Sequence, residues 1–238
     1  MATFVLVHGG GHGGWCWDFV ASNLRAQGHC VHAPTLTGLG ESRHEARADI
    51  SLDSHVEDLL TLLWDEHLED VILVGHSYGG MVISGAADRA ANRIRRLVFL
   101  DAAIPADGEC LFDISPGLQS FNDVQVVDGV RLGLWPGPAL VRQLYGIADE
   151  KLASWALARL TPHPWNTFET RLALSNPEAF ARIPRAIINC AATLERRPEA
   201  IRARWRDGDH VRQVEAGHDV MITDADLVTG LLLEIAGL

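Results

Sequence analysis

Short apolar runs alternate with amphipathic stretches along most of the chain, and the two periods predict strands and helices in turn. Residues 4–7 (Phe-Val-Leu-Val) are apolar without a break, as a strand buried on both faces requires. A glycine-rich stretch follows at 8–14. Trp17, Val20, Ala21 and Leu24 then fall at the i, i+3, i+4, i+7 spacing of one helical face. Gly28 closes that helix, residues 29–33 predict a second strand ending at Pro34, and the polar residues 35–50 predict a loop. Leu52, Val56, Leu59, Leu60 and Leu63 mark the stripe of the next helix. Residues 71–74 predict a third strand, which leads through Gly75-His76-Ser77-Tyr78-Gly79-Gly80 into a helix reaching about Ala91, and residues 96–100 predict a fourth.

The rhythm breaks at Pro105. Residues 105–184 contain Pro105, Pro116, Pro136, Pro138, Pro162, Pro164, Pro177 and Pro184, with helical patches near 139–145 and 149–160 and no long strand pattern. This stretch predicts an inserted helical cap. Alternation resumes with a strand at 186–190, a helix near 198–205, a strand at 211–214, and a last helix from about Asp224, with Thr223 and Asp226 spaced as a capping box. The whole predicts a single three-layer α/β domain. Its core (1–104 and 185–238) is a mostly parallel sheet of about six strands joined by right-handed crossovers, and its cap is 105–184.

Composition narrows the partners more than the fold. With 238 residues, 47% hydrophobic and 21% charged, the chain can bury a core of its own. Twenty Lys plus Arg against 31 Asp plus Glu leave a net charge of −11, which argues against nucleic acid or an anionic membrane as partner. The four cysteines (Cys16, Cys30, Cys110, Cys190) form no CxxC pair, so neither a disulfide framework nor a structural zinc site is expected. The N-terminus reads as a strand and not as a signal peptide, and no apolar run reaches the roughly 18 residues of a membrane span. The expected location is therefore the cytoplasm.

The sharpest chemical signal is Gly75-His76-Ser77-Tyr78-Gly79, a G-x-S-x-G between a strand and a helix. A nucleophile on so tight a turn needs small neighbours two residues either side, and Gly75 and Gly79 supply them. Ser77 would be that nucleophile. A serine hydroxyl needs a base, and His218, after the last strand, fits the order serine, acid, histidine. His210 opens that strand, and His163 lies in the cap. The acid is Asp101, at the end of the strand next in sequence, or Glu195, in the loop after strand 186–190 beside Arg196 and Arg197; Asp101 is preferred. Asp219 reads as serving its local turn. Backbone N–H groups of Gly10 and Tyr78 are the candidate oxyanion donors. Residues 9–14 also match G-x-G-x-x-G literally, but the next strand ends His32-Ala33-Pro34 without the carboxylate a dinucleotide fingerprint wants. No cofactor is expected. No metal is expected either, since glycines separate His8 from His12.

These motifs resemble the α/β-hydrolase superfamily, and within it the branch of plant methylesterases, hydroxynitrile lyases and bacterial carboxylesterases. The first strand with His8-Gly9 and His12-Gly13-Gly14-Trp15, the stretch 71–80, and Gly217-His218 carry the resemblance. It implies Ser77 as nucleophile, His218 as base, and Gly10 and Tyr78 as oxyanion donors, acting on a small-molecule ester. Two departures stand out. Methylesterases carry an Asp after the strand matching 186–190, where Thr193 stands here; other branches, resembling haloalkane dehalogenases, carry the acid where Asp101 lies. The lyases place a threonine and a lysine where Gly9 and Asp219 stand, which argues against their cyanohydrin chemistry. The expected function is a serine carboxylic-ester hydrolase. The rivals are a lyase or carbon–carbon bond hydrolase, or a silent ligand-binding member. Trp135, Tyr145, Trp155, Trp165 and Phe168 suggest an apolar or aromatic substrate group, or simply pack the cap. A homodimer is one of the assemblies left open.

Overall fold

The computed structural model describes residues 1–121, 123–135 and 137–238; Pro136, one of the cap prolines, lies outside them. All six expected core strands form: β1 (Thr3–Val7), β2 (Cys30–His32), β3 (Val71–His76), β4 (Ile94–Leu100), and later β8 (Arg185–Cys190) and β9 (His210–Val214). They make one sheet in the order β2-β1-β3-β4-β8-β9, and every pairing in it is parallel. The unbroken apolar runs follow from burial on both faces. In β1 and β3, Val5, Val7, Leu73 and Val71 enter one core cluster, while Phe4, Leu6, Ile72 and Val74 enter the other. Helices α1 (Asp18–Ala26), α2 (Leu52–Asp65) and α3 (Gly79–Arg89) cover the sheet. Leu59, Leu63, Val82 and Ile83 fill the first cluster; Val20 and Leu24 fill the second.

Between β4 and β8 the two expected helices appear as α4 (Pro138–Tyr145) and α5 (Glu150–Leu157). They are accompanied by a small antiparallel sheet that the pattern did not predict, of β5 (Asp123–Val127), β6 (Val130–Leu134) and β7 (His163–Pro164). β5 is exposed along most of its length, so burial stamped no periodicity on it. Its signal is the turn: Asp128 and Gly129 both take positive φ (50° and 80°), the conformation of an Asp-Gly hairpin. The helical stretch near 198–205 forms as a 3-10 helix, Glu199–Arg206.

The last helix, α6 (Ala225–Ala236), corrects one expectation. Its N-cap is Asp224, whose carboxylate accepts from the Leu227 N–H (3.1 Å). Thr223 instead donates to the Asp219 carbonyl, and Asp226 accepts from Asn23 on α1 (2.8 Å). A carboxylate one residue later caps the same helix, and Asp226 is left to tie α6 to α1. No helix among the described residues is long and apolar enough to cross a membrane.

Candidate active site

β3 ends in a turn so tight that Ser77 takes φ +54°, a left-handed conformation that a serine adopts only under constraint. The constraint is close packing. A Cβ on Gly79 would stand 2.8 Å from the carbonyl oxygens of Val7 and His8, and one on Gly75 would stand 2.8 Å from the Gly79 carbonyl carbon. The Ser77 carbonyl also accepts from the N–H groups of Gly80 (3.1 Å) and Ala103 (2.9 Å), which ties the turn to the chain leaving β4.

Ser77, His218 and Asp101 come together at the carboxyl edge of the sheet. Ser77 Oγ lies 2.9 Å from His218 Nε2, and Asp101 Oδ2 lies 2.5 Å from His218 Nδ1. With its proton on Nδ1, the imidazole donates to Asp101 and accepts the serine hydroxyl on Nε2. Asp101 is also left-handed, at φ +45°, and is 1% exposed. Burial pushes its pKa up, but the His218 hydrogen bond, the His218 charge and Arg197 together bring it below the ordinary carboxylate value. For His218, burial disfavours the charged ring, yet the hydrogen bond and charge of Asp101, with Asp219 behind, raise its pKa above the ordinary histidine value. Glu195 is exposed. The structure does not bring it to Ser77 or His218; its backbone carbonyl accepts from Arg202 (2.9 Å) and its N–H donates to the Ala191 carbonyl (3.3 Å).

Gly10 and Tyr78 both line the cavity over Ser77. Among the described residues neither backbone N–H has a hydrogen-bond acceptor, so both are available to an oxygen on a bound substrate. The cavity measures about 540 Å³. Its walls include Leu111, Ile114, Trp135, Tyr145 and Phe168. The other two aromatics singled out from the sequence pack elsewhere: Trp155 against Trp15 and Phe19, Trp165 against Phe112.

Two charged groups, one given no role by the sequence and one read as a turn residue, are buried in the site. Arg197, 7% exposed, donates to the Asp101 carbonyl (3.0 Å), sits 3.6 Å from Oδ1 and lies over the Trp205 ring. Asp219, 0% exposed, meets His12 at 3.1 Å. Nothing in the local sequence marked either. Their partners lie far away in the chain, and only the fold unites them. His76, His218 and Asp219 have ligand atoms within 4.8 Å of one another. Both His218 nitrogens are already engaged, by Ser77 and Asp101, and His76 Nε2 donates to the His218 carbonyl (2.9 Å).

Other histidines pin the glycine loop. His8 donates from Nδ1 to the Gly9 carbonyl (2.8 Å) and accepts the Leu36 N–H (3.0 Å). His163 accepts the Gly11 N–H (3.1 Å). Burial lowers His8 and His76 to about 3 and also lowers His55 and His163. An unfolded chain therefore binds more protons than the folded one below the ordinary histidine value. Stability is full above about pH 6.5 and is lost as pH falls toward the depressed values, at up to roughly 1.4 kcal/mol per pH unit per histidine. His218, with its raised pKa, opposes this. Urea midpoints at about pH 7 and pH 5 are expected to drop steeply; equal midpoints would refute the account.

Residues 4–230 match the model of the alpha/beta hydrolase family, and the chain belongs to that family. Within it, the chain is 38% identical over 234 residues to a carbendazim hydrolyzing esterase of Nocardioides sp. (strain SG-4G), covering 93% of this chain and 94% of the relative. A putative chloroplastic methylesterase of Arabidopsis thaliana (methylesterase 13) is 38% identical over 122 residues, 51% of this chain and 28% of that protein. The fold is also that of a methylesterase protein from Arabidopsis, with TM-score 0.83, 22% identity, and 100% and 99% of the two chains covered. Together these relatives support an esterase on an α/β-hydrolase fold.

Proposed function

We propose that the protein is a serine carboxylic-ester hydrolase, with Ser77 as nucleophile, His218 as general base and then acid, and Asp101 as the orienting carboxylate. The observation that carries this reading is the unbroken relay from Ser77 Oγ through the imidazole to Asp101, at 2.9 and 2.5 Å. Ser77 Oγ attacks the ester carbonyl carbon while His218 Nε2 takes its proton. The carbonyl oxygen becomes an oxyanion facing the N–H groups of Gly10 and Tyr78. Asp101 stabilises the imidazolium without itself taking the proton. His218 then protonates the departing alcohol, and water, activated by the same imidazole, releases the acid.

The aromatic and aliphatic walls favour a small apolar or aromatic ester. The similarity to an esterase named for carbendazim brings aryl-bearing methyl carbamates into the same class, because their carbonyl presents the same geometry to Ser77. A fluorophosphonate probe is expected to form an adduct on the Ser77 peptide. A panel of aryl esters, methyl esters and carbendazim, followed for alcohol and acid release, separates hydrolysis from lyase chemistry. No adduct on the native protein would remove the esterase reading, and cleavage without incorporation of water into the acid would replace it with a lyase.

A further inference from the structure

Beneath the oxyanion loop lies a pair of buried titratable groups that the ester chemistry does not use. His12 is 1% exposed and Asp219 0%. They are 207 positions apart in the chain. His12 Nδ1 lies 2.9 Å from the Gly10 carbonyl oxygen, and its Nε2 lies 3.1 Å from Asp219 Oδ2. A carbonyl and a carboxylate only accept. Each contact is a hydrogen bond only if the ring nitrogen carries a proton, so the two together require the imidazolium. Asp219 is held ionised: burial pushes its carboxyl up, and the charge and hydrogen bond of His12 chiefly outweigh that.

We propose that His12 and Asp219 form a buried imidazolium–carboxylate pair that clamps the oxyanion loop to the loop of His218 and supports both charges of the tetrahedral intermediate. This rests on the esterase reading above. His12 fixes Gly10 through its carbonyl and places a positive charge on the loop that faces the oxyanion. Asp219, directly after His218 and anchored by its N–H to the Tyr145 carbonyl (3.0 Å), places a negative charge behind the imidazolium. Both are positioning residues, because the two ring nitrogens of His12 are taken by Gly10 and Asp219. Other titratable groups around the pair are His8, His76, His163 and His218, the Tyr145 phenol on α4, and the Cys16 and Cys190 thiols. Burial lowers His8, His76 and His163 and pushes the phenol and both thiols up, so these groups stay neutral near neutral pH.

The variants separate the roles. His12→Asn keeps an amide N–H near the position of Nδ1 but removes the charge, and Asp219→Asn removes the opposite charge. Each is expected to lower kcat about 10- to 100-fold with KM within about threefold, and to weaken a trifluoromethyl ketone transition-state analogue by the same factor. The double variant leaves no lone buried charge, so it is expected to fold like the native protein. It is also expected to keep the kcat loss and to move the acid limb of kcat/KM to lower pH, because Asp219 no longer favours charged His218. Independently of turnover, nitrogen-15 NMR of histidine-labelled native protein is expected to show both His12 nitrogens protonated near neutral pH. A bare ring nitrogen on His12, or a double variant with native kcat and an unmoved acid limb, overturns the pair. A native protein that takes no fluorophosphonate overturns the esterase reading, and with it the rate role. One that takes it while the variants turn over unchanged overturns the pair alone.

Discussion

Ser77→Ala lowers kcat on an activated aryl ester by about 10⁴- to 10⁶-fold, with KM within a few-fold. The substitution removes one oxygen, the one 2.9 Å from His218 Nε2, and keeps the Cβ. The walls of the cavity and the free N–H groups of Gly10 and Tyr78 survive, so substrate binding should survive too. What remains is the modest catalysis that oxyanion donors and orientation give water alone, about 10³- to 10⁴-fold over the uncatalysed reaction. The backbone at φ +54° is retained, so the thermal midpoint should shift by only a few degrees. An Ala variant that keeps more than about 1% of native turnover, measured with purified protein and a fluorophosphonate-blocked control, would place the nucleophile elsewhere.

The second large effect separates two carboxylates. Asp101→Asn lowers kcat by about 10³- to 10⁴-fold, because an amide in that place can donate to Nδ1 and turn the imidazole to the wrong tautomer. Glu195→Gln leaves kcat within about twofold, since an exposed side chain outside the site has no proton to orient. The pH profile gives a second readout. Asp101 raises the pKa of His218, and the base works only when neutral, so the acid limb of kcat/KM in the native protein lies above the ordinary histidine value of about 6.5. Without the carboxylate the limb moves to lower pH even as the rate falls. The reverse ranking of the two variants would transfer the acid role to Glu195.

The core of the fold was legible because its signals are local. Burial on both faces wrote continuous apolar runs at β1 and β3, and the glycines around Ser77 marked a turn whose spacing admits nothing larger. Asp101 was reachable by a neighbour argument, since β3 and β4 pair directly. The rest of the site was less legible because it depends on contacts between distant parts of the chain. Arg197 stands beside Glu195 and Arg196 in a charged run that looks solvated, and only the packing of Trp205 and the end of β4 buries it. Asp219 looked like a turn residue because its partner is His12. In the insertion, exposed β5 carries only a short Val124-Gln125-Val126 alternation, and Asp128-Gly129 was the stronger cue to its hairpin.

The insertion leaves the sheet at β4 and returns at β8, its neighbour in register. The groups proposed to react sit at the ends of core strands, while Leu111, Ile114, Trp135 and Phe168 reach the cavity from the insertion. A library confined to those four positions would retune which esters enter while leaving Ser77, His218 and Asp101 in place, though Trp135 and Phe168 also pack on the oxyanion loop and so couple selectivity to it.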